Sequence, residues 1–189
     1  PNVEVRAENR RFDSVRDDFD FHLPLGSLYK QNLLINSQNY RTKAFLIPDN
    51  CRVGFWKKRL KALGDGPYIG ISWKSSNMNA TRLPNYAPIS ALAPVLMLPG
   101  ATFINLQYKD YKKDLTTIQN DFGIRVHHFD DLDQFNDIDD VAALTAALDF
   151  VASTKLIAPM ISAGVGTVTK LANWRHSSWS NILHNPVGP

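Results

Sequence analysis

Cysteine is nearly missing from this sequence: Cys51 stands alone among 189 residues. One thiol forms no internal disulfide and cannot furnish a cysteine-based metal site, so a reducing compartment is expected and the chain is read as cytoplasmic. Long apolar runs are missing as well. No stretch approaches the roughly 20 residues that a membrane span needs, and nothing near the N-terminus has the layout of a signal peptide. Charge of one sign is nowhere massed. Lysine and arginine number 21 against 18 for aspartate and glutamate, giving 21 − 18 = +3, and the basic residues are dispersed. Binding nucleic acid by bulk electrostatics needs a concentrated patch and is not expected.

What is present is ordinary for a globular chain, at 44% hydrophobic and 21% charged residues. The length allows one sizeable core with little left over for a second. The stretch Tyr68–Asn77 organises the reading. Tyr68–Trp73 is short, apolar and bounded by Gly64-Asp65-Gly66-Pro67. This predicts a strand buried on both faces, as in the middle of a parallel sheet. Apolarity stops at Lys74, and Ser75, Ser76, Asn77, Asn79 and Thr81 follow. Ligands of open α/β sheets sit beyond the carboxyl ends of strands where strand order reverses. A strand ending in Lys-Ser-Ser-Asn offers a cation, hydroxyls and backbone N–H groups there. The same residues also read as a plain surface loop.

Around this strand the chain alternates. Residues 1–47 form an irregular arm, dense in apolar residues near Phe19–Leu28 but broken by Pro24 and Gly26. The arm is expected to wrap over something, and the start at Pro1-Asn2-Val3 reads as an excerpt from a longer polypeptide. Residues 48–189 are expected to form one Rossmann-like domain. In it, Asp49 or Asn50 caps a helix whose stripe is Val53, Trp56, Leu60 and Leu63, ended by Gly64. A helix begins near Ser90 with Pro94 in its first turn, followed by a strand at Thr102–Gln107. A weaker helix covers about Asp110–Asn120, and a strand Ile124–Phe129. Ile138, Val141, Thr145 and Leu148 mark the core face of an alanine-rich helix. A fourth strand follows at Asp149–Ser153, a short helix within Leu156–Ala163, and a fifth strand at Thr167–Leu171. Such alternation predicts a three-layer α/β/α fold with a five-stranded parallel sheet in the order 3-2-1-4-5. Lys74 and Ser153-Thr154 then flank the point where strand order reverses.

Five stretches together carry a resemblance: F-D-F-H-L-P-L-G-S-L (Phe19–Leu28), G-I-S-W-K (Gly70–Lys74), R-L-P-N-Y-A-P-I-S-A-L-A-P (Arg82–Pro94), F-I-N-L-Q (Phe103–Gln107) and D-D-V-A-A-L-T-A-A-L-D (Asp139–Asp149). In that order and spacing they resemble the C-terminal half of bacterial tetratricopeptide-repeat-associated glycosyltransferases, which are similar to the heptosyltransferases of glycosyltransferase family 9. The resemblance implies the donor-binding lobe of a GT-B fold, with the nucleotide sugar as substrate and no further cofactor. It also implies a separate N-terminal lobe holding the acceptor site and the catalytic base. Lys74 matches the basic residue that faces the donor diphosphate, Arg82 the arginine opening the next run, and Gln107 the glutamine closing the second strand. After the fourth strand the family usually reads Asp-Thr, a histidine, then Gly-Ala-Leu-Gly. This chain has Ser153-Thr154-Lys155, Ala158-Pro159-Met160 and Ala163-Gly164-Val165-Gly166.

The candidate phosphate-binding set is therefore Lys74, Ser75, Asn77, Arg82, Gln107, Ser153, Thr154 and Lys155, with no metal ligands and no catalytic residue assigned. Each has a plainer reading. Arg82 suits a carboxylate partner before a proline turn, and Ser153 and Thr154 suit a helix cap as well as an anion. Asp137, Asp139 and Asp140 read as acids favoured by a helix N-terminus rather than as a metal cluster. His127 and His128 straddle the two faces of a strand. Trp174, Arg175 and Trp179 suit either the donor base or packing of the tail. The leading function is the nucleotide-sugar-binding lobe of a GT-B glycosyltransferase. The alternative, prompted by the replaced aspartate and histidine, is a degenerate lobe serving protein interaction. A dinucleotide-dependent oxidoreductase fits poorly, because Lys74-Ser75-Ser76 replaces the glycine-rich turn that lets backbone approach a pyrophosphate.

Overall fold

The computed structural model of the chain describes residues 20, 44–74, 87–154, 156–173 and 178–181. The chain divides into two units, Pro1–Arg41 and Thr42–Pro189. Apart from Asp20 the first lies outside the described residues, and every element below belongs to the second. Strands β1 (Tyr68–Ser72), β2 (Thr102–Asn105), β3 (Val126–His127), β4 (Phe150–Ser153), β5 (Val168–Asn173) and β6 (Ser178–Asn181) form one sheet in the order β3-β2-β1-β4-β5-β6. The first five run parallel in the expected order 3-2-1-4-5, with β1 central. The sixth, which sequence reasoning left inside the tail, pairs antiparallel with β5.

Local sequence explains where the helices start and stop. Helix α1 (Asn50–Lys61) is capped by Asp49, whose carboxylate accepts the Arg52 N–H at 2.8 Å. Lys58, Arg59 and Lys61 in its last turn suit the negative end of the helix dipole. A 3-10 turn at Ile89–Leu92 leads into the short α2 (Ala93–Leu96), with Pro94 in its first turn, where a missing N–H costs least. Helix α3 (Lys112–Phe122) ends at Gly123, which takes the left-handed conformation at φ 66°. Asp137 caps α4 (Ile138–Ala146) by accepting the Asp140 N–H at 2.9 Å, and α5 (Ile157–Gly164) follows β4. None of the helices among the described residues is long and apolar enough to cross a membrane.

The helices cover both faces of the sheet. Trp56 and Leu60 of α1, Val141 and Leu144 of α4, and Ile161 of α5 bury one face together with Ile104 and Val151. Leu92, Leu96 and Ile118 bury the other with Ile69, Ile71, Trp73 and Phe103. Gly70 lies in the middle of β1, where an added Cβ would sit 2.5 Å from Leu106 Cδ1 and 2.7 Å from Leu148 Cδ1. Two leucines close over the central strand at that glycine. Ile138, expected on the core face, is 43% exposed, and Asp140 takes the inward place instead. The Asp140 carboxylate is met by Trp56 Nε1 at 2.6 Å and by the Arg52 guanidinium through Nε at 3.0 Å and Nη2 at 2.6 Å. Ahead of α1, the backbone N–H groups of Phe45 and Leu46 both donate to Gly164 O at 2.9 Å.

Candidate functional site at the carboxyl rim of the sheet

The crossovers after β1 and β2 carry helices that cover one face, and those after β3 and β4 carry helices that cover the other. The chain therefore parts in opposite directions between the carboxyl ends of β1 and β4, which makes a fork there. At its base Ser72 is in register with Ser153. Their hydroxyl oxygens are 2.6 Å apart, and Ser153 Oγ donates to Thr154 O at 3.0 Å, so Ser72 is the donor of the shared bond. The Thr154 N–H closes the pair by donating to Ser72 O at 3.3 Å. Ser153 is fully buried, and its hydroxyl fastens β4 to β1.

Thr154, the next residue, is 1% exposed, and its hydroxyl has no hydrogen-bond partner among the described residues. A buried hydroxyl without a partner carries an uncompensated desolvation cost. Just beyond it α5 begins at Ile157, and among the described residues no side chain caps its first turn. An unpaired hydroxyl and an uncapped helix N-terminus thus stand together on one limb of the fork, an arrangement suited to an anion.

Lys74 occupies the opposite limb. Its ammonium lies 2.6 Å from Asp114 Oδ2, an oxygen that also accepts the Trp73 indole N–H at 2.7 Å. Its backbone N–H donates to Gln107 Oε1 at 3.1 Å, and the Trp73 N–H reaches the same oxygen at 3.3 Å. The Gln107 amide nitrogen donates in turn to Lys109 O at 3.3 Å. Gln107 is thereby engaged at both ends, and its amide splices the end of β1 to the chain leaving β2.

Asn105, fully buried, extends this splice. Its Oδ1 accepts the Gln107 N–H at 2.9 Å while its Nδ2 donates to Gln107 O at 3.0 Å and meets His128 Nδ1 at 2.9 Å. His128 therefore accepts at Nδ1, with its ring against Tyr111 at 4.2 Å between centroids. Burial, opposed by Asp130 and reinforced by Lys112, holds the His128 pKa below its ordinary value. That of His127 is lowered by burial and by Arg125.

Of the eight sequence-predicted residues, Lys74, Gln107, Ser153 and Thr154 gather at this rim, while Ser75, Asn77, Arg82 and Lys155 lie outside the described residues. Sequence reasoning missed Asp114 and Asn105. Asp114 is 41 positions from the indole it binds, and no local pattern announces the pairing. Asn105 was visible only as a polar interruption in an apolar strand. The described residues contain no group of three or more histidine, cysteine, aspartate or glutamate side chains placed to hold a metal ion.

No family model matches the chain. Protein FlbA of Caulobacter vibrioides is similar, at 34% identity over 194 residues. The match takes in 96% of this chain and 32% of FlbA, so the chain spans about a third of that relative's length. Among solved structures, a glycosyl transferase of family 9 from Veillonella parvula superposes with a TM-score of 0.54, over 76% of this chain and 40% of that one, at 9% sequence identity. At that identity the likeness speaks for the fold alone: this chain has a Rossmann-like α/β fold similar to that of family 9 glycosyltransferases.

Proposed function

We propose that the chain is the nucleotide-sugar-binding lobe of a GT-B glycosyltransferase, the C-terminal part of a longer, tetratricopeptide-repeat-associated and cytoplasmic enzyme. The observation that carries this reading is the unpartnered, buried Thr154 hydroxyl at the fork of a sheet with a glycosyltransferase-like fold. A donor diphosphate lying in the fork gives that hydroxyl a partner and meets the N-terminus of α5. Lys74 supplies positive charge from the other limb, joined by Arg82 and Lys155 on the reading of the sequence. Cations and helix dipoles aimed at a leaving diphosphate stabilise the charge that develops as the glycosidic bond to the donor breaks. The acceptor site and the base that takes the acceptor proton belong, on this reading, to an N-terminal lobe.

A second reading has its own support. The family's aspartate and histidine are replaced here, Gln107 and Ser153 are occupied by internal bonds, and Lys74 already has a carboxylate partner. These features favour a lobe retained for protein interaction. Calorimetric titration with UDP, ADP and GDP separates the two. Binding of one of them is expected, with Lys74→Ala weakening it roughly 10- to 100-fold, since a hydrogen bond to a charged group contributes about 1.5–3 kcal/mol. Failure of all three to bind at millimolar concentration hands the case to the interaction module.

A further inference from the structure

Lys74 is drawn away from the fork. Its ammonium pairs with Asp114 in the first turn of α3, over the sheet face that carries Trp73 and on the crossover between β2 and β3. The fork opens on the other side of β1, toward β4. The Lys74 backbone is tied to Gln107, so any change of partner falls to its side chain, a flexible four-carbon stem. Asp114 does not depend on the lysine. The same Oδ2 accepts the Trp73 indole, and the first turn of a helix favours negative charge. Departure of the ammonium therefore leaves no orphaned carboxylate, which makes the exchange inexpensive.

We infer that Asp114 is a built-in competitor for Lys74, holding its ammonium off the fork until the diphosphate of a nucleotide takes its place. The inference rests on the nucleotide-binding reading and adds to it a regulating residue. A diphosphate carries more negative charge than one carboxylate, so the exchange favours the ligand once it is present. Every binding event nevertheless gives up the Asp114 pair. Affinity is lowered by that amount, and anions too weakly charged to displace a carboxylate are rejected.

The test uses the 189-residue chain, with UDP and inorganic pyrophosphate as probes. Asp114→Asn removes the charge but keeps an oxygen for the Trp73 indole, and is expected to bind both probes roughly two- to fivefold more tightly, the range for a partly exposed ion pair. Asp114→Glu keeps the charge and is expected to bind like the parent. The Trp73 indole N–H shares its acceptor with Lys74, so its NMR resonance should shift as UDP is added to the parent and stay put in Lys74→Met. Equal affinity of parent and Asp114→Asn with an unmoved Trp73 resonance overturns the competitor and leaves nucleotide binding intact. If neither protein binds either probe at millimolar concentration, both readings fall together. Should Asp114→Asn not fold, the Trp73 resonance of the parent decides alone.

Discussion

Trp56 Nε1 donates to Asp140 Oδ1 across 2.6 Å, joining α1 to α4 in the interior. Asp140 is 6% exposed, and Arg52 caps the pair from the solvent side. Removing the carboxylate leaves the indole N–H buried without an acceptor. Asp140→Ala is expected to cost about 1–3 kcal/mol, the range for an orphaned buried donor. Arg52→Ala is expected to cost less, because its guanidinium is half exposed and Trp56 keeps its partner. Urea denaturation of the two variants checks the order. Arg52→Ala proving the more damaging would mean that the ion pair, and not the indole bond, holds the two helices.

Thr154→Val should make the chain more stable and a poorer nucleotide binder. Valine has the shape of threonine without the hydroxyl, and that hydroxyl has no partner to lose among the described residues. Removing an unsatisfied buried hydroxyl is expected to gain about 1 kcal/mol, or roughly 2–4 °C in Tm for a chain of this size. A thermal melt and a UDP titration on the same preparation measure both effects. A fall in Tm would show that the hydroxyl is satisfied in solution and is not reserved for a ligand.

Stability should decline from neutral pH into mild acid. Burial lowers the folded-state pKa of both His127 and His128. Between that value and the unfolded value near about 6.5 the unfolded chain binds more protons, so stability is whole above about pH 6.5 and falls below it. Geometry supplies a cause for His128. Protonation turns Nδ1 from acceptor into donor, facing the Asn105 Nδ2, which its two bonds to Gln107 prevent from flipping. His128→Gln, which retains an acceptor but does not titrate, is expected to flatten the decline, leaving the part due to His127. Asp131 and Asp133 are held below the ordinary carboxylate range by Arg59 and by Asn136, so their contribution is lost only below about pH 4, in a separate window. Urea midpoints measured between pH 5 and 8 follow the histidines alone.

Much of the fold was legible because burial leaves a pattern. The apolar run of β1, the stripe through Trp56 and Leu60, and the cap at Asp49 each point to one local structure, and right-handed crossovers then leave few strand orders open. Two elements escaped for physical reasons. Asp140 points inward where periodicity favoured Ile138, because Trp56 and Arg52 neutralise the cost of burying it. The strand β6 is four residues of Ser-Trp-Ser-Asn, with no apolar alternation to betray it. At the rim, the placing of Lys74 and Ser153-Thr154 on either side of the reversal followed from strand order and strand ends, whereas the hydroxyl bond between Ser72 and Ser153 emerged only with the register of β1 on β4. The attachment of Lys74 to Asp114 did not, since which distant carboxylate a lysine meets is settled by the packing of α3 on Trp73.

The edge of the sheet at β3 has a consequence outside the single molecule. Only Val126 and His127 pair there with β2. An edge strand recruits a second chain through its run of unpaired backbone groups, and aggregation through sheet edges grows easier as that run lengthens. Two residues, preceded by the charged Arg125, give an incoming strand almost nothing to align on. Among the described residues, brevity is the device that blunts this edge against lateral growth, and it works without a proline in the strand.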